Sequence, residues 1–243
     1  MHRLAVVAAG LLGGWLIARD ARRWPISARD RVHVLIVVAL GGMLGSSLPG
    51  LVAGGVLGGN LASWMEAQAD AGLALGSVLL LGPKTVLGGL LGGFIAISLF
   101  KRPLGVTHDT SDAFARGTAV MMAVGRLGCI AQHCCFGASC SLAIGVDQGD
   151  GILRWPVQVI EFLAQCLLLL MVFGLHARNW LPGRRLFVVF FSYGLLRFMV
   201  EFLREPLGAT WHGVGFYQAL ALLVAGIGAW HLVKRSRARQ TPG

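Results

Sequence analysis

The sequence predicts an all-α polytopic integral membrane protein of about seven transmembrane helices, with the N-terminus outside and the C-terminus in the cytoplasm. Three observations carry this. Hydrophobic residues fill 56% of the 243 positions and charged residues only 13%, where a soluble domain carries roughly 25% charged residues. Apolar runs of membrane-spanning length recur along the chain. Basic residues gather in alternate connections between those runs, as they do in cytoplasmic loops. The 35 glycines suit the same class, because packing rather than hydrophobicity holds helices together in lipid and glycine lets backbones approach closely.

A bilayer-spanning helix needs about 20 apolar residues. Spans are predicted near 3–18, 33–50, 84–100, 113–132, 156–175, 186–203 and 213–233. Residues 4–18 are read as a span rather than a cleaved leader, because no small-residue cleavage site with a hydrophilic chain follows. Arg19, Arg22, Arg23, Arg29 and Arg31 separate the first span from the second. Lys101 and Arg102 follow the third, Arg178, Arg184 and Arg185 divide the fifth from the sixth, and Lys234, Arg235, Arg237 and Arg239 form the tail. With seven spans all four groups fall on one side, which the positive-inside rule makes cytoplasmic.

The opposite connections, about 51–82, 133–154 and 204–212, hold few basic residues and are assigned outside. Segment 51–82 is apolar at both ends with Glu66 and Asp70 between. It is predicted as amphipathic helices at the outer interface, anchored by Trp64. The whole chain, 1–243, is taken as a single transmembrane domain. GGVLGG at 54–59 and GGLLGG at 88–93 are read as packing motifs.

The net charge of +10 does not point to nucleic acid, because the basic residues lie between spans and no basic stripe with stacking aromatics exists. The informative charges lie inside the spans, where each costs about 2.5–3.5 kcal/mol on insertion scales and so marks a partner or a polar cavity. Arg197 and Glu201 are four apart in YGLLRFMVEFLREP (193–206), and Arg204 stands at i+7 on the same expected face. Three charges near the outer end of a span read as a site for an anionic head group, against the plainer reading of an Arg197–Glu201 pair that locks packing.

Arg126, in AVGRLGC (123–129), offers a planar fork of donors suited to phosphate, between Gly125 and Gly128. Its plain reading is an arginine snorkelling to the interface, the reading favoured for Arg116. Lys84 is either an anion ligand or an interface lysine. Glu161 and Gln158 open the fifth span behind Pro156, where Glu161 also reads as a helix-end carboxylate.

CIAQHCCFGASC (129–140) holds Cys129, Cys134, Cys135 and Cys140 with His133. The spacing is not that of a zinc ribbon. Three readings stand. One is a disulfide, favoured if the loop faces an oxidising compartment. Another is a metal site of thiolates plus His133, suited to zinc or cuprous copper. The third is soft packing, the reading given to Cys166.

Read together, VGRLGCIAQHCCFG, RWPVQVIEF and YGLLRFMVEFLREP resemble the three C-terminal signatures of the prolipoprotein diacylglyceryl transferase family. The family shows G-R-[IL]-G-N-F-x-N, then H-P-[ST]-Q-L-Y-E, then Y-[GA]-x-x-R-x-x-x-E-x-x-R. VLGGLLGG (86–93) resembles its F-H-G-G-L-I-G segment, and Gln218 resembles a late M-G-Q. The resemblance implies transfer of a diacylglyceryl group from phosphatidylglycerol to the thiol of a prolipoprotein lipobox cysteine, releasing glycerol phosphate at the outer face of a bacterial cytoplasmic membrane. It implies no cofactor and no metal. Arg126, Arg197, Glu201 and Arg204 carry over as catalytic residues, and Lys84, Gln158 and Glu161 join them as substrate-binding residues.

The chain departs from the family pattern at several positions. Leu87 stands where the family has the histidine often treated as its base. Cys129 replaces the asparagine, Trp155 the histidine of H-P-x-Q, and Ile160 the tyrosine, while GSS (45–47) replaces G-G-R. Glu201, His133 and a cluster cysteine are left as candidates for the base. The alternative function is a divergent homologue without transferase activity, handling thiols, metal or lipid through the 129–140 cluster.

Overall fold

The computed structural model describes residues 2–53, 84–147, 149, 151–204, 210–211 and 214–237. Among them each predicted span falls on a helix: α1 (His2–Ala21), α2 (Ala28–Leu51), α3 (Val86–Phe100), α4 (Ser111–Ala131), α5 (Val157–Ala177), α6 (Arg185–Glu201) and α7 (Phe216–Arg237). Five of these are long and apolar enough to cross a bilayer, and Val86–Phe100 is a shorter apolar helix. The protein is therefore a helical polytopic membrane protein. Leu4, Leu11, Leu40, Leu99, Leu163, Leu167, Leu170 and Trp230 lie exposed on its helices, as residues facing lipid do. The amphipathic segment expected at 51–82 lies, from residue 54 onward, outside the described residues, as do Trp64, Glu66, Asp70 and the GGVLGG motif.

The chain divides into two compact units, one of residues 1–23, 109–205 and 221–243, the other of 24–108 and 206–220. In the first, α1 packs along α4, and α4, α5 and α6 pack on one another. Glycine makes the α1–α4 approach possible: a Cβ on Gly13 would strike the Gly117 carbonyl, and one on Gly117 the Gly13 carbonyl. On α6, Gly194 and Gly228 of α7 do the same work against Ala221, Ala225, Phe187 and Phe191. The Phe187 ring stacks on His231 with centroids 4.2 Å apart.

The connection between α4 and α5 is not helical. Strands β1 (Val146–Asp147) and β2 (Leu153–Arg154) pair antiparallel, with Val146 opposite Arg154. Asp147 Oδ1 accepts from the Gly149 and Gly151 amides at 2.8 and 3.0 Å and closes the turn. The Ala138 amide donates to Leu203 O at 2.8 Å, and Trp155 donates back to Ala138 O at 3.1 Å. The cysteine-bearing loop is thereby tied to the end of α6.

In the second unit α2 and α3 form a hairpin of close-packed glycines, with Gly41 and Gly45 against Gly88 and Gly92. GGLLGG is a packing motif, as expected. Ser27 caps α2, accepting from the Asp30 amide at 3.1 Å, and Thr85 caps α3, accepting from Gly88 at 3.3 Å. The Thr85 amide reaches Ser46 O at 2.8 Å and sets the start of α3 against α2. Strands β3 (Thr210–Trp211) and β4 (Val214–Gly215) precede α7.

Candidate functional site

Two charged clusters sit at opposite ends of the α4–α5–α6 bundle. At the end where α4 and α6 begin, Arg116 donates to both carboxylate oxygens of Asp20, from Nε at 3.0 Å and also from Nη2. Arg116, expected to snorkel, is instead anchored to α1. Asp112 accepts from the Gly183 amide at 2.7 Å and the Arg185 amide at 3.0 Å, and pairs with the Arg185 guanidinium at 3.1 Å. Arg185 also donates to Trp180 O at 3.0 Å and Asn179 Oδ1 at 2.9 Å. Arg116, Asp20, Asp112 and Arg185 thus pair two and two.

The second cluster lies where α4 and α6 end and α5 begins. Arg126 of α4 and Arg197 of α6 both converge on Glu161 of α5, which is fully buried. Arg197 Nη1 meets Glu161 Oε1 at 2.5 Å, Arg126 Nη2 pairs with Glu161 Oε2, and Arg197 Nη2 donates to Glu201 Oε2 at 2.7 Å. The plain readings of these residues are corrected. Arg126 does not snorkel, and Arg197 and Glu201 are not an isolated pair. Glu161 is no helix-end carboxylate, because no acidic residue lies in the first turn of α5.

The sequence builds this convergence through helical spacing. Gln158, Glu161 and Gln165 occupy the buried face of α5 together with Val157, Leu168 and Val172, the i, i+3, i+7 stripe of a helix. Gln158 Nε2 donates to Cys134 O at 2.8 Å, so α5 also holds the cysteine loop. Arg204 differs from expectation. The helix stops at Glu201, and tight turns from Val200 O to the Leu203 amide (2.9 Å) and Glu201 O to the Arg204 amide (3.2 Å) carry the chain onward. Arg204 therefore leaves the helix face and sets Nη1 at 3.5 Å from Cys135 O.

The sulfurs of Cys129, Cys134 and Cys135 lie within 4.8 Å of one another, while His133 and Cys140 stand outside that group. All five cysteines are free thiols, so the favoured disulfide is not formed in this structure. The Cys135 thiol is pushed down to about 5, first by the hydrogen bond from Cys129; burial opposes this, and the Arg204 and Arg126 guanidiniums add to it. Burial and the neighbouring Cys135 push the Cys134 thiol up.

Lys84 belongs to the other unit. Its Nζ donates to Ser47 Oγ at 2.5 Å and reaches Met43 O at 3.5 Å, and burial lowers its pKa. Ser47 is the position where the resemblance sets an arginine, so a cation reaches it here from the chain preceding α3. Leu87, at the histidine position, is a buried core residue. Gln218 accepts from the Gly215 amide at 2.7 Å.

Sequence reasoning missed two site residues. Tyr193 is buried on α6 and interacts electrostatically with Arg126, Glu161 and Arg197. It stands one turn before Arg197 and opens the Y-[GA]-x-x-R signature, and both were available signals. Gln165 is buried one turn beyond Glu161 on the same face.

Arg126 and Arg197 thus gather around one buried carboxylate at one end of a helical membrane bundle. Glu161 holds both guanidiniums in fixed positions, and Glu201 adds a second contact to Arg197. The model of the prolipoprotein diacylglyceryl transferase family matches residues 1–234, and the chain belongs to that family. It is 26% identical over 207 residues to a phosphatidylglycerol–prolipoprotein diacylglyceryl transferase 2 of Clostridium perfringens, a match covering 78% of each chain. It is 32% identical over 161 residues to a phosphatidylglycerol–prolipoprotein diacylglyceryl transferase of Mesorhizobium japonicum, covering 60% of this chain and 56% of that one. A Wolbachia pipientis enzyme of the same name is 30% identical over 146 residues, covering 56% of each.

Proposed function

We propose that the protein transfers the diacylglyceryl group of phosphatidylglycerol to the cysteine thiol of a prolipoprotein, at the outer face of a bacterial inner membrane. The observation that carries this is Glu161 bridging Arg126 and Arg197 inside the bundle. Arg204 stands at the same end of the bundle, and three guanidiniums there offer the planar donor forks that a lipid phosphate takes. In the reaction the acceptor sulfur attacks the glyceryl carbon bound to the phosphate oxygen. The carbon–oxygen bond breaks, glycerol phosphate leaves with the electron pair, and the arginines stabilise its growing negative charge. Glu201 meets one guanidinium, through Oε2, where Glu161 meets two. That difference favours Glu201 as acceptor of the thiol proton.

The basic connections at the other end of the bundle support an outer position for the site end, in one transmembrane domain with segments near 51–82 and 133–154 proposed as extracytoplasmic. Reporter fusions after residues 25 and 180 are expected in the cytoplasm and one near residue 145 outside; a cytoplasmic reporter at 145 overturns the orientation. The reaction is tested by incubating purified protein with labelled phosphatidylglycerol and a lipobox peptide. Mass spectrometry should find the diacylglyceryl thioether and released glycerol phosphate, and neither product from wild-type protein sinks the proposal.

Leu87 at the histidine position, together with the clustered thiols, favours a second reading, in which the scaffold handles thiols, metal or lipid without transfer. Arginine substitutions abolish function under the first reading and cysteine substitutions under the second.

A further inference from the structure

We propose that Cys129, Cys134 and Cys135 form a three-thiolate site for one soft d10 cation, and that Cu(I) is the ion it fits. The proposal does not depend on the transferase reading, which takes its reacting thiol from another chain. The first support is distance. A metal–sulfur bond of about 2.3 Å sets three trigonal sulfurs about 4 Å apart, and these sulfurs already lie within 4.8 Å of one another.

The second support is how the backbone brings them there. Cys129 is in the last turn of α4, and the Cys134 amide turns back to its carbonyl at 3.2 Å. His133 and Cys135 then adopt φ values of 48° and 63°, a left-handed conformation that costs free energy for residues other than glycine. Between them these two reversals turn a C-x4-C-C segment into one cluster of sulfurs. Gln158 holds the Cys134 carbonyl at 2.8 Å, Arg204 approaches the Cys135 carbonyl at 3.5 Å, and the Ala138 amide fixes the loop to Leu203 O. Such contacts outside the ligand set orient the ligands.

Charge and donor type select the ion. Three thiolates and one monovalent cation leave two negative charges, and Arg126 and Arg204 both act on the cluster. Soft thiolates suit Cu(I), zinc and iron–sulfur clusters, and among these a three-sulfur set fits Cu(I). Zinc in a closed structural site takes four ligands, and neither His133 nor Cys140 is within the group.

The test uses full-length, reduced protein in detergent, kept anaerobic and titrated with Cu(I) against a chromophoric Cu(I) chelator. One Cu(I) per chain should resist the competitor, and X-ray absorption should show a shell of three sulfurs. Cys129→Ser, Cys134→Ser and Cys135→Ser should each weaken binding at least 100-fold, while Cys166→Ser keeps it. Should a serine variant fail to fold, maleimide labelling of the native chain gives an independent measure. Cu(I) should protect all three cluster thiols, located by peptide mass spectrometry. The proposal is overturned if wild-type protein holds no Cu(I), if binding survives the three substitutions, if any cluster thiol stays unprotected, or if Zn(II) is retained in preference to Cu(I).

Discussion

The two ends of the α4–α5–α6 bundle solve the same problem differently. Both place arginines in a bundle short of water, where an unpaired charge is costly. At the end holding Asp20 and Asp112, Arg116 and Arg185 each have their own carboxylate, and backbone amides and carbonyls complete the set. At the other end Glu161 is shared between Arg126 and Arg197, and Arg204 finds a backbone carbonyl rather than a carboxylate. The first arrangement is balanced and ties loops to helices. The second shares one carboxylate between two guanidiniums, and it is the site proposed above for a ligand. A buried arginine is thus not a functional signal by itself; the number of carboxylates that answer it separates structure from site.

The comparison breaks most sharply on the shared carboxylate's two partners. Arg126→Ala and Arg197→Ala should each lower turnover about 100- to 1,000-fold, the range for losing one preorganised donor to a developing oxyanion, while the proteins remain folded in detergent. Arg197→Lys should not restore it, because an ammonium lacks the planar fork that bridges Glu161, Glu201 and a phosphate. Lipid-dependent turnover with labelled phosphatidylglycerol measures this, and full activity in both alanine variants removes the assigned site.

The balanced end should respond in the opposite way. Asp112→Ala leaves Arg185 buried without its carboxylate, and breaking such a pair costs about 3–5 kcal/mol. Thermal unfolding in detergent should show the loss, while turnover per folded molecule at permissive temperature stays within about twofold, the scatter expected of a change remote from the reacting groups. A fall in turnover like that of Arg126→Ala would mean that the two ends are not functionally distinct.

Much of this was legible in the chain. Helix positions followed from apolar length and from loop charge, because in lipid a spanning segment must satisfy its own backbone. Arg126, Glu161, Arg197 and Glu201 stood out because charge inside a span demands a partner. Which partner was not legible. The spacing of Arg197, Glu201 and Arg204 read as a head-group site against a plain Arg197–Glu201 pair, and only the packing of α5 against α4 and α6 revealed Glu161 between the two arginines. Arg204 was misplaced because helical periodicity was carried past the true end of α6 at Glu201. The cysteine cluster was legible as composition but not as shape, since it depends on left-handed backbone at His133 and Cys135, residues without the usual glycine signal for that conformation.

The smallest effect sharpens the comparison at the point where the site's arginines act on a thiol. In the metal-free protein Cys135 is pushed down to about 5 by the hydrogen bond from Cys129 and then by Arg204 and Arg126. An ordinary thiol titrates near 8.5. At pH 6 Cys135 is therefore almost wholly thiolate, whereas an ordinary thiol is about 0.3% thiolate. The lower basicity of that thiolate takes back part of the gain, so iodoacetamide should alkylate Cys135 about tenfold faster than a model thiol. The rate should be half-maximal near pH 5, and Cys134, whose pKa is raised, should lag until alkaline pH. The sign for stability follows from the same depression. Because the folded value lies below the unfolded one, the contribution is complete above about pH 8.5 and is lost as pH falls through about 5. Arg204→Ala should move the alkylation midpoint upward, since that guanidinium favours the thiolate. Peptide mass spectrometry across pH 4–10 reads each cysteine separately. A Cys135 midpoint near 8.5 would mean that neither the Cys129 hydrogen bond nor the Arg204 and Arg126 guanidiniums hold the thiol down, and an unmoved midpoint in Arg204→Ala would remove the arginine's part alone.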